Sequence, residues 1–334
     1  MKEYKNILII KMSSLGDIIH ALPTLYAIRK TFSDAHITWA VHKEFADILS
    51  GKPWIDELYI IQRKQIMNLF YLNKVRRDLR KKKFDLVIDL HMLAKSALIS
   101  FLTGCPMRIG YWDAHEGSSF FTHRIPMRHK KTDHIIEQLL DVARFLGWDK
   151  NEIQFPLCDY QPYISPIKEK LKKNGITGDF VILVPGSRGS EREWPIDLWG
   201  ELAKKLSEKQ VYCVIVGASN MKEKALQIQE VAGKKYVVDM TGETMIPELV
   251  ALEKLATLHI SSDTGPLHIA NALKKPIIAL FGPTLPERSG PYDNAESHVF
   301  LADSPGSKDT DMSTISVDDV YRCAYEIWQR KCKE

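Results

Sequence analysis

The feature that most constrains this chain is a strand-then-helix alternation that runs, stops and starts again. NILIIK (6–11), HITWAV (36–41), DELYII (56–61) and DLVIDL (85–90) are short runs of β-branched and aliphatic residues. Between them the pattern predicts helices over 18–31, 43–50 and a basic segment at 63–83, with others over 94–103 and 134–146. Such alternation buries a parallel sheet under helices on both faces. From 149 to 166 the pattern breaks, with Pro156, Pro162 and Pro166 spaced through a predicted linker. It resumes in FVILVP (180–185), VYCVIVG (211–217), YVVDM (236–240), TLHISS (257–262) and PIIALFG (276–282), with helices beginning near Ile196, Met221, Pro247 and Gly265. The expectation is an α/β protein of two Rossmann-like, doubly wound domains, 1–155 and 156–316. A helix over 317–331 follows, within a terminal segment 317–334 that packs on the second domain or crosses back to the first. At 334 residues the chain is long enough for two cores. In open parallel sheets ligands bind outside the carboxyl ends of the strands, so two facing sheets would gather both sets of loops into one cleft.

Composition narrows the function classes. Apolar residues make up 45% and charged residues 26%, with no run of about 18 uncharged apolar residues, so a soluble globular protein is expected. MKEYKNILII carries no small-residue cleavage site and reads as a strand rather than a signal peptide. The five cysteines, Cys105, Cys158, Cys213, Cys323 and Cys332, show no Cys-x-x-Cys spacing. They suit a reducing cytoplasm rather than a disulfide framework or a zinc site. A net charge of +4 gives no electrostatic case for nucleic acid. The segment 63–83 is different: nine basic residues stand against one acid, Asp78, with Ile66, Leu69, Phe70, Leu72, Val75 and Leu79 interleaved. It reads as a basic amphipathic helix, either a solvated face or a contact for an anionic membrane surface, with Lys81, Lys82 and Lys83 as the lysines to neutralise in a test.

Four loops after strands can carry chemistry. Lys11 to Asp17 offers Gly16 for a turn, the hydroxyls and amides of Ser13 and Ser14 for a phosphate, and Asp17 as the predicted N-cap of the helix from Ile18. It is neither G-x-G-x-x-G nor a Walker loop, which weakens dehydrogenase and P-loop readings. Pro185 to Pro195 combines glycines, Ser187, Arg188 and Arg192, as a diphosphate site requires; its plain alternative is a charged surface loop. Ser261 to His268 places Asp263, Thr264 and Gly265 at a helix amino end, with Thr264 and His268 sharing one helical face. Gly217 to Asn220 is followed by Glu223, either a ribose ligand or a first-turn acid. Asp309-Thr310-Asp311 reads as a solvated loop rather than a metal-binding D-x-D, and no H-E-x-x-H occurs.

Together these blocks resemble the ADP-heptose:lipopolysaccharide heptosyltransferases, glycosyltransferase family nine. K-x-S-S-x-G-D-x-x-H-x-L-P stands at 11–23, S-x-D-T-G-x-x-H at 261–268 and FGPT at 281–284. The likeness covers essentially the whole chain. K-x-S-S-x-G-D and A-D-S-P-G (302–306) are more similar to heptosyltransferase I than to II. The resemblance implies a GT-B architecture and inverting transfer from ADP-heptose to a lipid-linked Kdo acceptor in lipopolysaccharide core synthesis, with neither metal nor cofactor. It implies Asp17 as general base, with Ser13, Ser14, Ser187, Arg188, Arg192, Glu223, Asp263, Thr264, Gly265 and His268 around the donor. Arg63, Lys64, Lys95 and His115 fall on the acceptor side, although His115-Glu116 replaces the Arg-Glu common in heptosyltransferase I. Domain closure onto the donor, and a cytoplasmic protein peripheral to the inner membrane, are implied as well. The competing classes are a relative with a protein or other sugar acceptor, a nucleotide-sugar epimerase, and a non-catalytic nucleotide-binding protein. The epimerase would not need the basic acceptor side, and the binding protein would not need Asp17.

Overall fold

The computed structural model describes residues 3–187, 189–307 and 309–332. The chain divides into two compact units, the first ending at Asp159 and the second beginning at Tyr160.

The first unit carries β1 (Asn6–Ile10), β2 (His36–His42), β3 (Glu57–Ile61), β4 (Leu86–Asp89), β5 (Arg108–Gly110) and β6 (His123–Arg124). These form one sheet in the order β3-β2-β1-β4-β5-β6, parallel at every pairing. Its helices are α1 (Leu15–Thr31), α2 (Leu69–Lys81), α3 (Ala94–Leu102) and α4 (Ile135–Phe145). Leu8, Ile10, Val87 and Ile99 centre a core that α2 completes with Tyr71, Val75 and Leu79, a stripe at four-residue spacing. Asn68 caps α2, accepting from the Phe70 and Tyr71 amides at 2.9 and 3.2 Å.

In the second unit α5 (Gln161–Lys173) precedes β7 (Phe180–Val184), α6 (Ile196–Glu208), β8 (Tyr212–Ile215), α7 (Lys222–Ala232) and β9 (Val237–Asp239). Then come α8 (Ile246–Leu255), β10 (Leu258–Ser262), α9 (Gly265–Ala272), β11 (Ile277–Phe281), α10 (Pro286–Ser289), β12 (Ser297–Leu301) and α11 (Val317–Lys331). The sheet order is β12-β11-β10-β7-β8-β9. Counted from its own first strand this is 3-2-1-4-5-6 read from the other edge, the same winding as the first sheet. The final helix α11 packs against α6, burying Val320, Ala324 and Ile327 in the second unit's core.

Several expected boundaries shift. The helix expected from Ile18 begins at Leu15, which makes Ser14 its N-cap and moves Asp17 into the first turn. The stretch 43–50 is a 3₁₀ segment, Lys43–Ile48. The basic segment is not one helix: a 3₁₀ turn, Arg63–Gln65, precedes α2. Part of the expected linker is the helix α5, whose Pro162 lies in the first turn, where a missing N–H costs nothing. The D-x-D stretch is a loop in which Asp311 caps a 3₁₀ turn, accepting from the Ser313 amide at 2.9 Å.

Cys105, Cys158 and Cys213 are buried, Cys323 is half-buried and Cys332 is exposed. Burial pushes the Cys213 thiol up to about 12 and Cys158 to about 11. Burial raises Cys323, and burial with the nearby Asp179 carboxylate raises Cys332 to about 11. Among the described residues no helix is long and apolar enough to cross a membrane.

Candidate active site

Each sheet reverses its winding direction once, between β1 and β4 in the first unit and between β7 and β10 in the second. Chains leaving two such neighbouring strands run to opposite faces and open a crevice at the carboxyl ends. Three of the four sequence-identified loops fall on these two crevices; the fourth, Gly217 to Asn220, follows β8 on the far side of β7.

In the first unit, Lys11 leaves β1 only 5% exposed, and its ammonium donates to the Leu90 carbonyl beyond β4 at 3.0 Å. Burial lowers the Lys11 pKa, and the carboxylates of Asp17 and Asp89 work against that fall. Asp17 Oδ2 accepts from both the amide (3.0 Å) and the hydroxyl (2.6 Å) of Ser14. Screening from bulk water by itself would raise the Asp17 pKa; Lys11, the two Ser14 hydrogen bonds and His20 outweigh it and hold the group well below the usual carboxylate range. Asp17 nevertheless stays exposed and reachable. Ser13 is half-buried beside it, and the Ser13–Ser14 peptide is cis.

The β4 side of the crevice is drier. Asp89 is fully buried, and burial pushes its carboxyl up to about 6, although the His91 and Met92 amides and the Ser96 hydroxyl all donate to it. Burial, then the Lys11 charge, drives the His91 imidazole down to about 3. Among the described residues, the buried polar atoms His91 Nδ1 and Trp112 Nε1 have no hydrogen-bond partner. The loop after β5 folds over the loop after β4. The His115 amide donates to the Met92 carbonyl at 3.0 Å, and the Ala94 amide donates to Glu116 at 3.2 Å. A side chain at Gly110 would sit 2.7 Å from the Asp89 carbonyl and collide with Met92, so only glycine permits this approach. Lys95 and His115 are thereby tied to one region. His115 shares Asp113 with Lys131, at 3.2 and 3.7 Å. Lys95 is the exposed second residue of α3, where the helix dipole disfavours a cation. Arg63 and Lys64 follow β3 instead, with Arg63 3.6 Å from Glu44. Four strand spacings separate β3 from β5, roughly 19 Å at about 4.8 Å each, with the Asp17 loop between.

In the second unit, the β7 loop and the β10 loop meet directly. Arg192 Nη1 lies 3.4 Å from Asp263 Oδ2, and His268 Nε2 lies 3.5 Å from Asp263 Oδ1. Burial opposes ionisation of Asp263; His268 foremost, then Thr284 and Arg192, outweigh it and hold the pKa low. Thr264 is the N-cap of α9 and Gly265 its first residue, so unpaired amides of the first turn point outward here. Among the described residues, Ser262 Oγ, Thr264 Oγ1 and Arg192 Nε are buried without hydrogen-bond partners, a concentration that marks a place for a polar ligand. The Ser187 amide donates to Glu193 at 3.0 Å, and Lys224 bonds the other Glu193 oxygen. Glu223 is exposed in the first turn of α7, and Arg188 lies outside the described residues. Behind the loop, fully buried Glu253 on α8 receives His259 at 2.9 Å, whose other nitrogen lies 2.8 Å from Ser261.

Lys11, Glu193 and Thr284 were not among the sequence-derived site residues. Lys11 opens the K-x-S-S-x-G-D block, Glu193 lies in the Pro185 to Pro195 loop and Thr284 ends the FGPT block, but their partners are visible only in the structure.

Two doubly wound units in one chain recur in solved proteins. The structure is similar to a glycosyl transferase family 9 protein from Veillonella parvula (TM-score 0.86, 24% identity, 98% of each chain). It is similar also to the Escherichia coli ADP-heptose lps heptosyltransferase II (TM-score 0.83, 21% identity, 98% of this chain and 99% of that one). These likenesses define the fold: the two-domain α/β architecture of the GT-B class. Sequence takes the assignment one level further, since the family's profile matches residues 72–316, and the chain belongs to glycosyltransferase family 9 (heptosyltransferase). Curated relatives include the lipopolysaccharide core heptosyltransferase OpsX of Haemophilus influenzae, 24% identical over 91% of this chain and 87% of that protein. Lipopolysaccharide heptosyltransferase 3 of Escherichia coli is 28% identical over 80% of this chain and 81% of its own.

Proposed function

We infer that this glycosyltransferase transfers heptose from ADP-heptose to the Kdo–lipid A inner core with inversion, and that Asp17 is its general base. The lipopolysaccharide heptosyltransferases among its relatives support the reaction. The observation that carries the mechanism is the state of Asp17, a reachable carboxylate held ionised by Lys11 and Ser14. Both Ser14 hydrogen bonds fall on Oδ2, which leaves Oδ1 to accept the acceptor hydroxyl's proton as the hydroxyl oxygen attacks the anomeric carbon. The carbon–oxygen bond to ADP breaks on the opposite face, and a base so placed contributes about 10²- to 10⁴-fold.

The diphosphate would lie at the amino end of α9, against Thr264, Gly265 and His268. Arg192, Arg188 and Ser187 would offset the charge that develops on departing ADP, and Glu223 would hold the ribose. Ser13 would reach the donor beside Asp17; Ser14 is already engaged by that carboxylate. Arg63 and Lys64 on one side of Asp17, and Lys95 and His115 on the other, suit a broad acceptor bearing several anionic groups. The chain would work at the cytoplasmic face of the inner membrane, where a lipid-linked acceptor resides.

The test is ADP release from ADP-heptose, with and without Kdo–lipid A, in wild type and Asp17→Asn. Acceptor-dependent release that drops at least 100-fold in the variant, with donor affinity kept, is the expected result. Release independent of acceptor, or an active variant, would overturn the assignment.

A further inference from the structure

The outward face of α2 is the least explained surface of the first unit. Its inward stripe, Tyr71, Val75 and Leu79, fills the core and accounts for the helix. The opposite stripe carries Phe70, Asn73, Arg77 and Arg80 at helical spacing, with Arg76 alongside, along an open groove of about 630 Å³. Just before and inside the first turn, Met67, Leu69 and Phe70 are 78, 75 and 88% exposed. Large apolar side chains so bare, adjacent in sequence at one helix end, are not accounted for by folding.

The charge on this face is as one-sided as its apolar content. Among the described residues no acid pairs with Arg76, Arg77 or Arg80. The helix's one acid, Asp78, is turned to the sheet, where it raises the pKa of Tyr59 on β3 after burial has done so. Lys82, one of the lysines expected to meet a membrane, is tied to Glu57 instead. The arginine stripe on the helix, with exposed Lys74, Lys81 and Lys83 beside it, therefore makes the cationic face, and Lys82 does not contribute to it.

We propose that α2 is the docking element of this protein for an anionic lipid bilayer. Met67, Leu69 and Phe70 enter the headgroup region, and Arg76, Arg77 and Arg80 lie across lipid phosphates. An anionic surface attracts each such cation within about a Debye length, and aromatic and aliphatic side chains add burial that salt does not screen. Arginine with one aromatic also suits single-stranded nucleic acid. Two exposed aliphatic side chains beside the phenylalanine have no use there and favour the bilayer. This deepens the functional reading, resting on it only for a lipid-linked acceptor at the same surface. It would make α2 set which end of the first unit approaches the lipid, apart from any contact made by the transferred sugar or its acceptor.

The experiment is co-sedimentation of the full chain with vesicles of phosphatidylcholine alone and with 30 mol% phosphatidylglycerol, across a salt series. Transfer to a deacylated, water-soluble acceptor is measured in parallel. Binding is expected only to the anionic vesicles and should weaken with salt. Arg76→Gln/Arg77→Gln/Arg80→Gln should lower it on the order of 100-fold, Phe70→Ser on the order of tenfold, and Lys82→Gln should retain most of it. The arginine and Phe70 variants should keep wild-type melting temperatures, and all variants wild-type rates on the soluble acceptor. Equal binding to neutral vesicles, or triple-Gln binding equal to wild type, would overturn the proposal. So would retention of a labelled oligonucleotide by the wild type with no vesicle binding. If every protein, wild type included, fails to transfer sugar yet shows this vesicle pattern, the function assignment falls and the docking surface stands.

Discussion

Two carboxylates share the first crevice and pull stability in opposite directions. Asp17 is held below its ordinary pKa, so what it adds to stability is present above the unfolded value near 3.9 and is lost as pH falls through its depressed one. Asp89 is raised to about 6 by burial, so between about pH 4 and 6 the folded chain keeps a proton that the unfolded chain releases. Stability attributable to Asp89 therefore falls as pH rises through that window, and above it the ionised group costs on the order of 2–3 kcal/mol. Asp89→Asn preserves an oxygen for the His91 and Met92 amides and removes the charge. It should raise the urea midpoint at pH 7.5 and leave it nearly unchanged at pH 4. Equal shifts at both pH values would show that the carboxyl ionises as easily in the folded protein as in a peptide.

Between elements, the tie that matters most to the donor loop is the contact of α8 with β10. Glu253, His259 and Ser261 are all fully buried, and the chain of contacts ends two residues before Asp263. Glu253→Ala removes one partner and leaves a buried imidazole nitrogen unsatisfied, at a cost of about 1–3 kcal/mol, whereas Glu253→Gln should lose less. Urea unfolding of both variants checks this, and an Ala variant as stable as wild type would mean that His259 finds another partner. Elements of this kind were unequally legible. β1 after Asn6, β7 and β11 are buried and read as continuous apolar runs, whereas β10 is buried but carries His259, Ser261 and Ser262. β5 and β6 have three and two residues, and β12 lies at an edge with Val299 and Leu301 exposed, so their pairing comes from neighbours rather than from their own pattern. Among site residues, Asp263, Thr264 and His268 lie within one short block and were readable together. Lys11 and Glu193 take their meaning from Leu90 and Lys224, residues 79 and 31 positions away, which only the strand order and helix packing bring near.

At the scale of the molecule, the two sheets wind alike but carry different chemistry at their crevices. Lysine and an ionised carboxylate stand in the first; arginine, histidine and a helix amino end stand in the second. Every described residue proposed for the nucleotide's diphosphate and ribose lies in the unit that begins at Tyr160. A fragment starting there should fold and bind ADP within about tenfold of the full chain's affinity, by calorimetry, without transferring sugar. A folded fragment that does not bind ADP would assign part of the nucleotide site to the first unit.

The thiols described above bear on how such measurements can be labelled. At neutral pH the raised pKa values of Cys158, Cys213, Cys323 and Cys332 leave each almost wholly protonated, and Cys105, like Cys158 and Cys213, is shielded by burial. Maleimides react with the thiolate, so these native cysteines should label more than tenfold more slowly than an unhindered one. A fluorophore could then be placed at Leu69→Cys in the otherwise unaltered protein, where its colour would report the polarity that α2 meets.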